Sequence, residues 1–156
     1  MLNGKAKINP KDKRLARIIA VQAIYAYEIS DRASDDVINI ILESEDNNWA
    51  PLESVPSKDA IGYAKRLYRK VIEFKEELDV LIQERSKNWS INRITLLDRL
   101  VLRMSLAEML YEEDVPPKVS ISEAVEIAKY FSTEESGSFV NGILDSFYND
   151  TIKDQK

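Results

Sequence analysis

The chain has 156 residues, a mass of 17.9 kDa and a formal net charge of −5, a length typical of a single domain. It contains neither cysteine nor histidine, which excludes disulfides, thiolate metal sites, cysteine nucleophiles and the commonest general base. Its 4 glycines are too few and too scattered for a dinucleotide-binding turn, so we predict no catalytic residues, no metal and no cofactor.

The first half of the chain reads as a basic arm over residues 1–9 followed by helices. The helices that apolar spacing predicts here are residues 12–29, 34–43 and 57–84. Pro10 or Asp12 can open the first of them. The acidic stretch 44–56 reads as a loop that Trp49 pins to the core. The last segment is long for one globular helix, and a break is expected near Lys75.

The second half follows a connector at residues 86–93, which contains Trp89. A strong core helix is predicted over Ile94–Tyr111 and is stopped before Pro116 and Pro117. Ser120 followed by Glu123 fits a capping box at the start of the next helix. After a polar break at 132–136, apolar residues up to Phe147 define the last helix.

Alternation of period two is nowhere sustained, so the predicted fold is all-α with about seven helices. We expect one helical domain over residues 10–150, with packed halves at about 10–85 and 86–150 and a tail at 151–156. No apolar stretch approaches the roughly 20 residues that span a bilayer, and the apolar run Ile18–Tyr27 is interrupted by Gln22. We therefore expect a soluble, cytoplasmic protein that does not enter a membrane.

The positive charge is concentrated at the amino end. Residues 1–17 carry six cations and the single acid Asp12, a local charge of +5, which leaves −10 for the rest of the chain. The cations are Lys5, Lys7, Lys11, Lys13, Arg14 and Arg17. This asymmetry fits an anionic partner, and on charge alone it fits a solvated basic terminus equally well. Basic residues in a first helical turn oppose the helix dipole, so local helix stability does not account for them.

Two further patterns could indicate a phosphate-binding or catalytic site. Gly137 to Gly142 spells G-x-x-x-x-G, but Ile143 follows where a phosphate-binding loop needs lysine. We reject that reading and expect Gly142 to let another helix approach closely. The 27 carboxylates sit mainly where solvated helix faces are expected, which favours a structural or partner-facing role over catalysis.

Three blocks of the sequence resemble the NusB family of transcription antitermination factors. The first is Lys13-Arg14-Leu15-Ala16-Arg17 with Ala20-Val21-Gln22-Ala23-Ile24-Tyr25. The second is Asp114-Val115-Pro116-Pro117-Lys118-Val119 with Ser122-Glu123-Ala124-Val125-Glu126-Ile127-Ala128-Lys129. The third is Phe139-Val140-Asn141-Gly142-Ile143-Leu144-Asp145. The resemblance covers nearly the whole chain and is weakest over residues 30–60.

The resemblance implies a compact fold of two helical halves and a role without catalysis. Such proteins bind a short single-stranded RNA element, the boxA of ribosomal RNA leaders, together with the ribosomal protein also called NusE. The complex acts with other Nus factors on RNA polymerase, so that the polymerase resists termination. An acidic body with one cationic end suits a basic protein partner and RNA phosphates.

The same resemblance assigns site residues by matching positions. The RNA-binding candidates are Lys13, Arg14, Arg17, Lys129, Glu135 and Phe139, of which the first three are expected to contact phosphate and Phe139 to stack on a base. For the protein partner, the resemblance assigns Tyr25. Charge alone adds Glu76, Glu77 and Glu84 as candidates.

Two departures from the family pattern weaken the expected electrostatic attraction for RNA. Leu15 interrupts a run that is often arginine throughout the family, and Ser138 stands where a basic residue is frequent. Unaided RNA affinity is therefore expected to be low and dependence on the partner high.

Two alternative functions remain open on the sequence. One is the N-terminal RNA-binding module of a ribosomal RNA cytosine methyltransferase, which requires the chain to be a fragment. The other is a helical protein-interaction adaptor that does not bind RNA.

Overall fold

The computed structural model describes residues 8–31, 36–43, 56–86 and 94–153. Within them the chain forms seven α-helices and a short π-helical turn, and no strand is found in these ranges. The helices are α1 (Pro10–Ser30), α2 (Val37–Glu43), α3 (Lys58–Glu73), α4 (Lys75–Arg85), α5 (Leu96–Tyr111), α6 (Pro117–Phe131) and α7 (Glu134–Phe147), and the π-helical turn is Tyr148–Ile152. The prediction of an all-α fold with about seven helices is confirmed.

Several expectations fall outside the described ranges. They are most of the arm at residues 1–9, nearly all of the loop at 44–56 with Trp49, most of the connector at 86–93 with Trp89, and the end of the tail at 151–156. The expected break near Lys75 is present, because α3 ends at Glu73 and α4 begins at Lys75. The amide of Phe74, between these helices, still donates to the carbonyl of Lys70 at 3.0 Å.

The chain divides into two compact units, residues 1–69 and residues 70–156. The predicted halves at 10–85 and 86–150 stay a prediction.

In the first unit, α1 packs against α2 and contributes nine buried residues between Leu15 and Ile24. Helix α1 begins with Pro10 in its first turn, and the Asn9 side chain accepts a hydrogen bond from the amide of Asp12 at 2.9 Å. The start of α1 is therefore fixed by its own sequence.

The second unit is built around α5, which packs against α4, α6 and α7. Residues 101–108 of α5 are all buried, as expected for a helix covered on every side. Helices α6 and α7 form a hairpin joined by Ser132 and Thr133, and the Thr133 hydroxyl accepts from the amide of Ser136 at 3.1 Å. This hairpin carries three of the predicted RNA-binding residues.

The predicted capping box at Ser120 and Glu123 is wrong. Helix α6 begins at Pro117, and its N-cap residue, Pro116, makes no side-chain capping bond. Ser120 is buried inside the helix, where its hydroxyl donates to Oε1 of the fully buried Glu108 at 2.6 Å. Ser120 therefore ties α6 to α5.

Candidate nucleic-acid interface

The basic start of α1 is the first part of the predicted site. Lys13 and Arg14 lie in its first turns and are both half-buried. The Lys13 ammonium lies 5.2 Å from the centroid of the Tyr63 ring, and the Arg66 guanidinium carbon lies 5.0 Å from the same centroid. Cation–π contacts at this distance orient a cation without neutralising it. Lys13 therefore keeps its full charge for an anion.

Arg17 departs from the expectation of a shared exposed surface. Its relative accessibility is only 2%, although it lies one helical turn after Lys13. Leu15, between them, is also buried, at 1%. A guanidinium at this depth does not reach a phosphate in solvent without a rearrangement of its surroundings. The assignment of Arg17 as a direct phosphate contact stays a prediction, and its burial means that the contact requires such a rearrangement.

The α6–α7 hairpin holds the second part of the predicted site. Lys129, near the end of α6, is partly exposed, and its ammonium lies 3.9 Å from Oε1 of Glu126 and 3.6 Å from Oε2 of Glu134. Glu135 is exposed and Phe139 is half-buried, and their spacing of four places them on one face of α7. These residues lie close together in sequence and on one hairpin.

A glycine brings the two helices of the hairpin together. A Cβ atom added to Gly137 would lie 2.6 Å from Cγ of Lys129, so the lysine stem fits only because position 137 has no side chain. The expectation placed this role on Gly142, and that expectation is wrong. Gly142 is exposed, and a Cβ atom there would meet nothing within 4 Å. Both glycines are in the same motif, and no signal in the sequence separates them.

The predicted protein-partner residues lie on α1 and α4. Tyr25 of α1 is 51% exposed, and one turn later Ile29 is 65% exposed, which places two large apolar side chains in solvent on one face. Glu76 and Glu77 are exposed in the first turn of α4. Glu84 is exposed near its end, where its Oε2 lies 3.3 Å from Nη1 of Arg85.

The predicted site residues are divided between the two units. Lys13, Arg14, Arg17 and Tyr25 belong to residues 1–69, and all the others belong to residues 70–156. Within the second unit the RNA candidates share the α6–α7 hairpin, whereas the acidic candidates lie on α4.

An aromatic pair that the sequence did not reveal lies beside these acids. The rings of Phe74 and Tyr111 stack with centroids 4.8 Å apart, and the Lys70 ammonium lies 5.6 Å and 5.2 Å from the two centroids. Burial raises the pKa of the Tyr111 phenol above its ordinary value of 10.0, and the negative charges of Glu77 and Glu73 raise it further. The two aromatic residues are far apart in sequence, so no local spacing could have predicted the contact.

The described ranges contain no group of three or more acidic side chains placed to hold a metal ion. In the same ranges, no helix combines the length and apolarity needed to cross a membrane.

Comparison with known proteins identifies the family to which the chain belongs. The family model described as NusB matches residues 14–149. The chain belongs to the NusB family. A NusB transcription antitermination protein of Chloroherpeton thalassium is 40% identical over 138 residues, which are 88% of this chain and 62% of that relative's length.

Solved NusB structures share the fold. NusB of T. maritima superposes with a TM-score of 0.76 at 34% identity, over 93% of this chain and 94% of that one. A crystal structure of the antitermination factors NusB and NusE in complex with dsRNA gives a TM-score of 0.76 at 25% identity, over 91% of this chain and 99% of the matched one. The match to the NusB family model, over residues 14–149, extends into both units. It includes all the predicted site residues except Lys13, which lies one residue before it.

Proposed function

We propose that this chain is a transcription antitermination factor that binds boxA-like single-stranded RNA of ribosomal leaders together with the ribosomal protein NusE. It acts through other Nus factors on RNA polymerase, it works by binding rather than by catalysis, and it resides in the cytoplasm. The supporting observation is the likeness, over 91% of the chain, to a NusB in complex with NusE and dsRNA, which supports RNA binding with NusE. The relatives reported above are antitermination proteins, which favours this function over a methyltransferase module.

Lys13 and Arg14 are the proposed phosphate contacts in the first unit. They are half-buried side chains at the beginning of a helix, where cations gain nothing from the helix dipole. Arg17, one helical turn after Lys13, adds a positive charge that is buried at 2%. Three cations within about one and a half helical turns attract a nucleotide backbone through charge and carry no sequence information.

Lys129, Glu135 and Phe139 are the proposed contacts in the second unit. Phe139 offers a partly exposed ring for base stacking, and the Glu135 carboxylate can accept a hydrogen bond from a base amino group. The ion pairs of Lys129 with Glu126 and Glu134 reduce its net attraction for phosphate. Together with Ser138, this favours low unaided RNA affinity and dependence on the partner.

Tyr25 is the proposed anchor for the protein partner, because a large exposed aromatic side chain is typical of interface hot spots. Glu76, Glu77 and Glu84 supply negative charge toward a basic ribosomal protein. The net charge of −5 makes this attraction long-ranged at low salt.

The test is a titration of the full chain with boxA-like single-stranded RNA, scrambled RNA and the same boxA sequence in a duplex, each with and without NusE. We expect the single-stranded boxA RNA to bind tightest and NusE to strengthen binding. Equal affinity for all three RNAs, with and without NusE, would instead favour an adaptor without RNA function.

The salt dependence identifies the phosphate contacts. Each neutralised phosphate contributes a slope of about −0.7 to log affinity against log salt for single strands. Replacing Lys13 and Arg14 together by glutamine should make the slope less negative by about 1.4. An unchanged slope removes these two residues from the site. The exposed Lys58 of α3 provides a control, since Lys58→Gln removes a charge outside the proposed site.

A further inference from the structure

An open groove runs between α6 and α7, entirely within the second unit. It encloses about 420 Å³ and is lined on α6 by Ile121, Ser122, Val125 and Glu126, and on α7 by Asn141 and Asp145. The lining residues follow helical spacing of three or four on each helix, so the groove lies parallel to the hairpin.

The groove has an apolar base and polar walls. Ile121 is buried at 6% and Val125 is half-buried, which provides a base for an aliphatic stem. Asp145 is exposed, and within the described part of the chain its carboxylate makes no ion pair. The Asn141 side chain offers an additional carbonyl acceptor on the same wall.

Charge determines which kind of ligand fits. Glu126 and Asp145 bring two negative charges to the lining and Lys118 brings one positive charge, a formal sum of −1. The Glu126 carboxylate also lies 3.9 Å from the Lys129 ammonium, so the charge that remains for a ligand is chiefly that of Asp145. The Lys118 ammonium lies 5.9 Å from the Tyr148 ring centroid, a contact that holds it near the end of α7. This arrangement disfavours phosphate and favours a cation with an apolar stem. Arginine has that chemistry, because its planar guanidinium matches carboxylate and carbonyl acceptors.

The groove is separate from the proposed RNA contacts. Each residue turns an α-helix by about 100°, so Asn141 lies roughly 160° around α7 from Phe139. Asp145 lies roughly 80° from Glu135 and 120° from Phe139 on the same basis. Lys129 is the single link, because its ammonium contacts Glu126.

We propose that the α6–α7 groove receives an arginine side chain from a basic segment of a partner protein. The guanidinium donates to the carboxylate of Asp145 and to the side-chain carbonyl of Asn141, and the alkyl stem lies on Ile121 and Val125. The negative lining and the net charge of −5 attract such a segment. The groove is thereby a protein-docking site distinct from the RNA surface.

The test is an NMR titration of the full chain with the blocked tripeptide Gly-Arg-Gly. Matched peptides carry lysine, or citrulline, which keeps the shape of arginine without its charge. We expect the arginine peptide to shift amides of Ile121, Val125, Asn141 and Asp145, the lysine peptide to bind more weakly, and the citrulline peptide to leave these amides unshifted. Shifts confined to other surfaces, or equal shifts with citrulline, overturn the proposal.

Asp145→Asn is the decisive variant, because it keeps the shape of the side chain and leaves the Glu126–Lys129 pair intact. It should weaken the arginine peptide about fivefold, the loss of one charge-assisted contact in a partly exposed site. Glu43→Gln, at an exposed carboxylate of α2, is the matched charge control and should bind as the wild type does. Unchanged peptide affinity in Asp145→Asn contradicts the proposal.

Measuring RNA binding distinguishes a failure of this inference from a failure of the proposed function. Asp145→Asn should leave the affinity for boxA-like RNA unchanged, since Asp145 lies roughly 120° around α7 from Phe139 and about 15 Å along the helix axis from Glu135. If the variant weakens RNA binding and not peptide binding, the groove is part of the RNA site and the proposal of an arginine pocket is wrong. If RNA fails to bind either protein while the peptide result holds, the groove stands and the RNA function fails.

Discussion

Arg103 of α5 and Asp79 of α4 form a two-pronged ion pair, with Nε 2.7 Å from Oδ1 and Nη2 2.9 Å from Oδ2. The arginine is buried at 2% and the aspartate side chain is 25% exposed. Parallel bonds of this type fix both distance and orientation, so the pair sets how α4 lies against α5.

Removing the carboxylate of this pair should destabilise the second unit. Asp79→Ala leaves the Arg103 charge buried with two fewer acceptors, and we expect a loss of about 3 kcal/mol in the free energy of unfolding. Urea unfolding followed by circular dichroism measures it. The double variant Asp79→Leu with Arg103→Met should lose less than Asp79→Ala alone, because it buries no charge. A loss below about 1 kcal/mol for Asp79→Ala would place the pair among ordinary surface ion pairs.

Gly137 and Gly142 should respond to alanine with opposite signs. Gly142→Ala meets open space in an exposed part of α7 and should stabilise the protein by about 0.5–1 kcal/mol through helix propensity. Gly137→Ala should destabilise it by about 1 kcal/mol, because the new Cβ displaces the Lys129 stem. In a Lys129→Ala background the Gly137 substitution should become stabilising. Thermal unfolding of the four variants measures these signs, and a destabilising effect that persists without the lysine would show that another contact opposes the Cβ.

Substitution of Lys13 should affect RNA binding, whereas substitution of Arg17 should affect stability. Lys13→Gln should weaken RNA binding and leave the free energy of unfolding within about 0.5 kcal/mol, because it is a partly exposed surface residue. Arg17→Gln should lower the free energy of unfolding by about 2 kcal/mol, since the change disturbs a packed site. Urea unfolding and RNA titration of both variants measure this difference. A fully stable Arg17→Gln protein with reduced RNA affinity would support Arg17 as a direct phosphate contact.

Tyr111 should make stability fall at alkaline pH. Burial, Glu77 and Glu73 raise the pKa of the folded-state phenol above the unfolded value of 10.0. The folded protein therefore retains the proton longer than the unfolded chain does, and the stabilisation is complete below pH 10.0 and is lost as the pH rises from there toward the folded-state pKa. Unfolding measured from neutral to alkaline pH should show a smaller decline in Tyr111→Phe than in the wild type. Identical declines would show that ionisation of Tyr111 does not contribute to the loss of stability at alkaline pH.

Much of the fold could be predicted because apolar residues recur at helical spacing and prolines interrupt the pattern. The break near Lys75 and the core helix α5 follow from that pattern alone. The start of α6 does not, since Ser120 resembles a cap but is used by the buried carboxylate of Glu108. Tertiary hydrogen bonding outweighs a local capping signal, and a single sequence does not reveal the distant partner.

The sequence was enough to name candidate site residues, but it predicted only part of which of them are exposed. Lys13 and Arg17 are one turn apart, and helical spacing alone gives both the same face. Only the packing around α1 distinguishes the half-buried lysine from the buried arginine. The α6–α7 groove was missed because it depends on where two helices meet.

The connection between α6 and α7 consists of Ser132 and Thr133 alone. Closing so short a loop costs little chain entropy, and the contacts it brings together are local in sequence. We therefore expect this hairpin to form early in folding, ahead of the contacts that join α4 to α7. Pulse-labelling hydrogen exchange should show amides of α6 and α7 protected first, and simultaneous protection of all helices would contradict this order. The binding surfaces on the hairpin would then be shaped before the rest of the second unit closes around them.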